Sequence, residues 1–196
     1  MKCDESANYN AVSATYIGKA TISKANGSIT YNPSSAVTEY CTSDAKTANT
    51  ADGNRIVTVA TASATSSTNT GVTITYAISV KKGTTTVTGW TIASNGQTIT
   101  IPSGTTAGEY TVTITATAPT TSNYNAVSTN PSPVVTLNLE EVVLSSVTLT
   151  ISPTTVAYMG TATATVMAQY SNNTPAVDVT STATYTIQNP EIAEIS

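Results

Sequence analysis

Apolar and polar residues alternate along most of this chain with a period of two. Val72, Ile74, Tyr76, Ile78 and Val80 alternate with Thr, Thr, Ala and Ser. Tyr110, Val112, Ile114, Ala116 and Ala118 do the same in EYTVTITATA, with Thr at every place between. Shorter runs of this kind are residues 28–31, 55–62, 97–102, 132–139, 145–152, 161–170 and 182–187. Such alternation sends successive side chains to opposite faces of a strand, so one face buries while the Thr face stays wet. Turn formers separate the runs: Asn26-Gly27, Asp52-Gly53-Asn54, Lys82-Gly83, Asn95-Gly96, Ser103-Gly104, Ala107-Gly108 and Asn189-Pro190. Asn-Gly and Asp-Gly reach the positive φ that tight hairpins need. No stretch carries a helical period with caps. Many short strands at regular spacing predict an all-β chain of antiparallel β-sandwiches.

One phrase divides the chain. NYNAVS occurs from Asn8 and again from Asn123, 115 positions on. Each copy is followed by one more strand-like segment and a short polar junction, so each copy closes a module. Residues 1–25 then read as the closing strand of a preceding module. Residues 26–140 form one complete module, and 141–196 begin another. A chain that repeats a phrase at this interval belongs to a tandem array.

The last module has a specific likeness. It opens with a strand and Ser152-Pro153, has Gly160 before its second strand, and that strand ends near Tyr170. A Val179-Thr180 pair, an aromatic strand at Tyr185 and the close NPEIAEI follow. In this order residues 145–196 resemble the first half of a group 2 bacterial immunoglobulin-like domain, the invasin and intimin type. That family usually has Trp where Tyr185 stands. Residues 26–140, with TITYAIS, GWTIASNGQTITIP and NYNAVS, resemble the immunoglobulin-like and cadherin-like repeats of bacterial surface proteins. The resemblance implies tandem immunoglobulin-like sandwiches with incomplete end modules, an extracellular or cell-surface setting, and no catalysis.

Composition narrows the function further. Charged residues are 9% of the chain and apolar residues 39%, with no His and ten Tyr. Without His, the commonest acid–base residue and the Ser-His and Cys-His arrangements are missing. The carboxylates are spread thin, and no enzyme activity or cofactor is expected. A net charge of −4 with scattered basic residues offers nothing to nucleic acid. No apolar run is long enough for a membrane-crossing helix. The first ten residues, MKCDESANYN, have no apolar core of a secretion signal.

Four acidic residues are candidates for calcium, because clustered carboxylate oxygens are what that ion needs. They are Asp44 and Asp52 in the loop DAKTANTADGN and Glu140 and Glu141 at the module junction. A solvated loop and a solvated linker are the competing reading. Cys3 and Cys41 either pair as a disulfide or stay as two thiols. Trp90 is either a core aromatic or an exposed binding aromatic, and Tyr124 is a candidate to tie a turn to backbone. Lys19, Lys24, Lys81 and Lys82 are candidates by residue type for a Lys–Asn isopeptide bond.

The functional expectation is a non-catalytic stalk or adhesive segment whose partners are neighbouring modules of its own chain. Host-surface carbohydrate or protein would be met through loops. The alternatives are a phage virion protein, such as a capsid decoration or tail-fibre module that contacts other virion proteins, and an accessory module of a secreted carbohydrate-active enzyme. The two unfinished ends also raise strand exchange between copies.

Overall fold

A computed structural model describes residues 22–67 and 71–193. The described residues are all-β: they form strands and a single 3-10 turn at Thr180–Thr182, with no α-helix.

The longest strand explains the first unit. Gly108–Ala118 (β9) buries Tyr110, Val112, Ile114, Ala116 and Ala118, each at 2% exposure or less. The intervening threonines face outward, as the alternation predicts. β9 lies between Val134–Glu140 (β11) and Thr75–Lys82 (β5), antiparallel to both. Ala36–Tyr40 (β2) and Thr85–Val87 (β6) form the edges, giving the order β2-β11-β9-β5-β6, and Val127–Ser128 (β10) adds to the end of β9. A second sheet is built from Arg55–Thr58 (β3), Thr98–Ile101 (β8) and Thr91–Ile92 (β7), in the order β3-β8-β7. Val57, Ile99 and Ile101 of that sheet share one apolar cluster with Val112, Ile114 and Leu137 of the larger one. Each such side chain contributes about 1.5–3 kcal/mol on burial. Ile29–Thr30 (β1) and Thr65–Ser66 (β4) make a small separate ribbon.

One corner of the core forces a glycine. Gly96 has φ 75°, and a Cβ there would stand only 2.3 Å from the edge of the Tyr76 ring. Tyr31 meets Tyr76 edge-on at 5.5 Å, and its hydroxyl donates to the Gly96 carbonyl at 2.5 Å. The Tyr76 hydroxyl accepts from the Ala64 amide at 2.7 Å. Burial, helped by Tyr76, pushes the Tyr31 phenol up to about 12.

A second unit follows. Leu144–Ser152 (β12), Thr163–Tyr170 (β13) and Val177–Asp178 (β14) form a three-stranded antiparallel sheet.

Three details depart from the sequence reading. The expected antiparallel order has one exception, because β11 runs parallel to β2. The two strands are separated by most of the first unit, so no tight hairpin constrains their directions. The run 72–80 enters its strand only at Thr75. Residues 182–187, expected as a strand, belong to no sheet: Thr182 closes the 3-10 turn, Ala183 leaves it extended, and 184–187 join no strand. The first copy of the repeated phrase lies outside the described residues.

Candidate functional site

Among the described residues, the joint between the two units is the most constructed polar feature. β11 ends at Glu140 and β12 begins at Leu144, leaving three residues between. The Glu140 carbonyl accepts from the Cys41 amide at 2.9 Å. Val142 is fully buried and exchanges two backbone hydrogen bonds with Ala48, at 2.8 and 2.9 Å. The Val143 carbonyl accepts from the Ser171 amide at 3.0 Å, and its amide donates to the Ser171 hydroxyl at 3.1 Å. The linker is thus held by the loop of residues 42–54 in the first unit and by the β13–β14 turn of the second.

One side chain connects those two loops directly. Asn172, in the β13–β14 turn, donates from Nδ2 to the Thr42 carbonyl at 3.1 Å and to the Asp44 carbonyl at 2.9 Å. Its own Oδ1 accepts from the Thr174 hydroxyl at 3.0 Å, which fixes the amide's direction. The loop that receives it is stiffened from inside. The buried Thr42 hydroxyl donates to Asp52 at 2.7 Å and accepts from the Asp44 amide at 3.0 Å.

The four calcium candidates converge on this end of the first unit but are not assembled into a cage. Lys46 stands between Asp44 and Asp52, with its Nζ 3.3 and 3.0 Å from their carboxylates. Its ammonium occupies the position where a cation would have to sit. The hydrogen bond from Thr42, then that from Lys46, holds the Asp52 carboxyl below its ordinary range. Glu140 and Glu141 are exposed. Among the described residues no group of three or more His, Cys, Asp or Glu side chains is placed to hold a metal ion. Arg55 donates from Nε and Nη2 to one oxygen of Glu39, at 3.2 and 2.7 Å.

Cys41 lies fully buried beneath the same loop as a free thiol, and burial, reinforced by Glu141, pushes its pKa up. Cys3 lies outside the described residues. Trp90 is 7% exposed and packs on Tyr110 with ring centroids 4.9 Å apart. That is the core placement, not the exposed one. Lys82 Nζ stands over the Tyr110 ring, 5.1 Å from its centroid, and donates to the Thr106 hydroxyl and the Ala107 carbonyl, both at 2.8 Å. An open hollow of about 400 Å³ lies beside it, lined by Thr85, Val87 and Thr105 among others. Lys24 donates to the Thr120 hydroxyl, Lys81 is exposed, and Lys19 lies outside the described residues.

Three tyrosines other than Tyr124 tie turns to backbone: Tyr110 donates to the Thr106 carbonyl at 2.6 Å, Tyr185 to the Thr180 carbonyl at 2.9 Å, and Tyr31 to the Gly96 carbonyl. At Tyr124 the main chain does the work instead. The Ala25 amide donates to the Asn123 carbonyl, and the Asn125 amide to the Ala25 carbonyl, both at 2.9 Å. The phrase NYN is therefore where the incoming segment docks at the opposite end of the first unit. Sequence reasoning singled out this phrase, but it missed Asn172, which stands in an ordinary turn sequence, SNNTP.

Comparisons with family models, with curated proteins and with solved structures find no match to this chain.

Proposed function

We propose that this chain is a non-catalytic spacer, a stretch of tandem immunoglobulin-like sandwiches in a bacterial cell-surface or secreted protein. Its task is to set distance and direction between whatever lies at either end. The observation that carries this reading is the linker of residues 141–143, which is hydrogen-bonded to both flanking units and buries Val142. A linker anchored on both sides transmits orientation, whereas a free one transmits only distance. In repeat arrays such nearest-neighbour contacts set stiffness. The Thr-covered outer faces suit the same role, since they bind little by charge and leave the inner faces to build the cores. The partners in this reading are the neighbouring modules of the same chain.

Small-angle scattering of the purified chain tests the proposal. A single shape, with the two units in fixed relation, is expected to fit the profile. A profile that requires a broad ensemble of relative orientations overturns the spacer reading.

A further inference from the structure

β5 ends with a lysine on its dry side. Cross-strand partners share a face, and the register sets Val80 against Val112 of β9 and Val87 of β6. Val80 and Val112 are buried. Lys82 stands two residues on from Val80 and pairs with Thr85, so it falls on the same inward face, at the mouth of the sandwich. A lysine at such a place ordinarily lays its stem over the core and carries its head out to water. Lys82 is held instead. Gly108 has φ 142°, and a Cβ on it would come within 2.8 Å of the Lys82 Cε, so the glycine admits the side chain. The Tyr110 ring lies under the ammonium, and the Thr106 hydroxyl and the Ala107 carbonyl each take one of its protons. An ammonium has three protons, so one is left. Both acceptors are neutral, and among the described residues Lys82 makes no ion pair. A fixed positive charge without a carboxylate therefore lines the open hollow of about 400 Å³, where Thr85 and Thr105 add hydroxyls and Val87 an apolar patch. A second hollow, of about 310 Å³, shares Val87 and is lined by Trp90. The Trp90 Nε1 is buried without a hydrogen-bond partner among the described residues, whereas buried donors are nearly always paired. An unbalanced cation and an unpaired donor thus lie side by side.

We propose that this mouth of the first unit binds an acidic sugar through its carboxylate. The hollow beside Lys82 lies within the range of about 300–1,000 Å³ found for small-molecule sites. Its charge selects the group that enters. One ammonium balances one carboxylate, whereas a phosphate monoester carries close to two negative charges and would find no second cation in the lining. Its hydroxyls select the rest of the ligand. A sugar ring offers oxygens to Thr85 and Thr105 and a C–H face to Val87, while the tail of a fatty acid would match only the valine. The cation is also placed in advance, because Gly108, Tyr110, Thr106 and Ala107 already fix the side chain. A preorganised group loses little freedom when its ligand arrives. This inference goes beyond the spacer reading. A spacer with no ligand keeps its fixed joint, so a failed titration would leave the scattering result untouched.

Titration of the full chain with glucuronate, galacturonate and N-acetylneuraminate tests it. The readouts are the emission of Trp90, the single Trp of the chain, and the amide shifts of residues 82–87 and 104–110. At least one of the three is expected to bind saturably, with a dissociation constant on the order of 1 mM, and added salt should weaken it. Glucose lacks the charge and acetate lacks the hydroxyls, so each should bind about tenfold more weakly or worse. Lys82→Gln keeps a donor for Thr106 and Ala107 but removes the charge. It should keep the melting curve and weaken binding by about tenfold or more. Thr85→Val, at an exposed strand position, keeps the branched shape and should weaken binding severalfold. No saturable response to any of the three acidic sugars overturns the proposal. So does acetate binding as tightly as they do, which would mark a general anion site. Affinity left unchanged by Lys82→Gln overturns it as well, and where that variant melts early, unchanged affinity in Thr85→Val does so.

Discussion

If Asn172 holds the two units in register, replacing it should loosen the joint without unfolding either side. Asn172→Ala removes two neutral hydrogen bonds, to the carbonyls of Thr42 and Asp44. Such bonds contribute about 0.5–1.5 kcal/mol each, and the freed carbonyls can take up water once the loops part. The lower half of that range applies, giving about 1–2 kcal/mol of coupling, or a shift of about 5–30-fold in the ratio of docked to undocked forms. The backbone pair between Val142 and Ala48 is untouched, so the linker stays attached to the first unit. Asn172→Asp is the sharper change. It keeps the shape but turns the donor edge into a carboxylate oxygen facing two carbonyl oxygens, near the Asp44 carboxylate. It should loosen the joint more than Ala does. Residual dipolar couplings measure this directly, since one alignment tensor fits both units when they are docked and two tensors are needed when they are not. Identical tensors in the wild type and both variants would refute the role given to Asn172.

Other changes probe the units themselves. Gly96→Ala should destabilise the first unit by about 2–5 kcal/mol in urea unfolding, combining a strained positive φ with overpacking against Tyr76. Leu137→Ala empties a fully buried position on β11 and should cost about 2–5 kcal/mol by the same assay. Tyr31 is held protonated by burial, so the stability it contributes is full below the ordinary tyrosine value of about 10 and falls as pH rises toward about 12. Tyr31→Phe should remove that part of the alkaline loss in pH-dependent melting. Asp52 has a lowered folded pKa, so its contribution is present above the ordinary carboxylate value of about 3.9 and is lost as pH falls through the lower one. Asp52→Asn should flatten that part of the acid limb of the melting curve.

The alternation in EYTVTITATA was enough to place β9 and its buried face, because a strand covered on one side writes that fact into every second residue. AVTEY, which forms β2, carries no such mark. Its Glu39 is tolerated half-buried only because Arg55, sixteen residues on, supplies two donors to one carboxylate oxygen. That pairing is made by the fold and has no local signature. TATYTI fails in the opposite way. Its period is sound, and Ala183, Tyr185 and Ile187 are half-buried while Thr184 and Thr186 are exposed. A period states which side of a strand will be dry, but it cannot state that a neighbouring strand is present to pair with. The joint was legible as a short linker, but its fastening was not. Asn172 reaches a carbonyl 128 residues away, and an amide donor bound to main chain places no demand on the identity of the residue it meets.

The distribution of charge shows why the joint differs from the bodies it connects. The chain has only seven basic and eleven acidic residues. Glu39, Asp44, Lys46, Asp52, Arg55, Glu140 and Glu141 are seven of these eighteen, and all lie on or beside the loop that receives the second unit. Elsewhere the β-branched alternation suffices, because a strand paired on both edges satisfies its own backbone. A loop at the end of a sheet has no such ladder, and its amides and carbonyls must be fixed by side chains. Thr42, Asp52 and Lys46 do this from within the loop, which leaves the Thr42 and Asp44 carbonyls aimed at the Asn172 amide. The charges at this end therefore act on the joint indirectly. They rigidify a surface of main-chain acceptors, and the neighbouring unit reads that surface through one neutral amide.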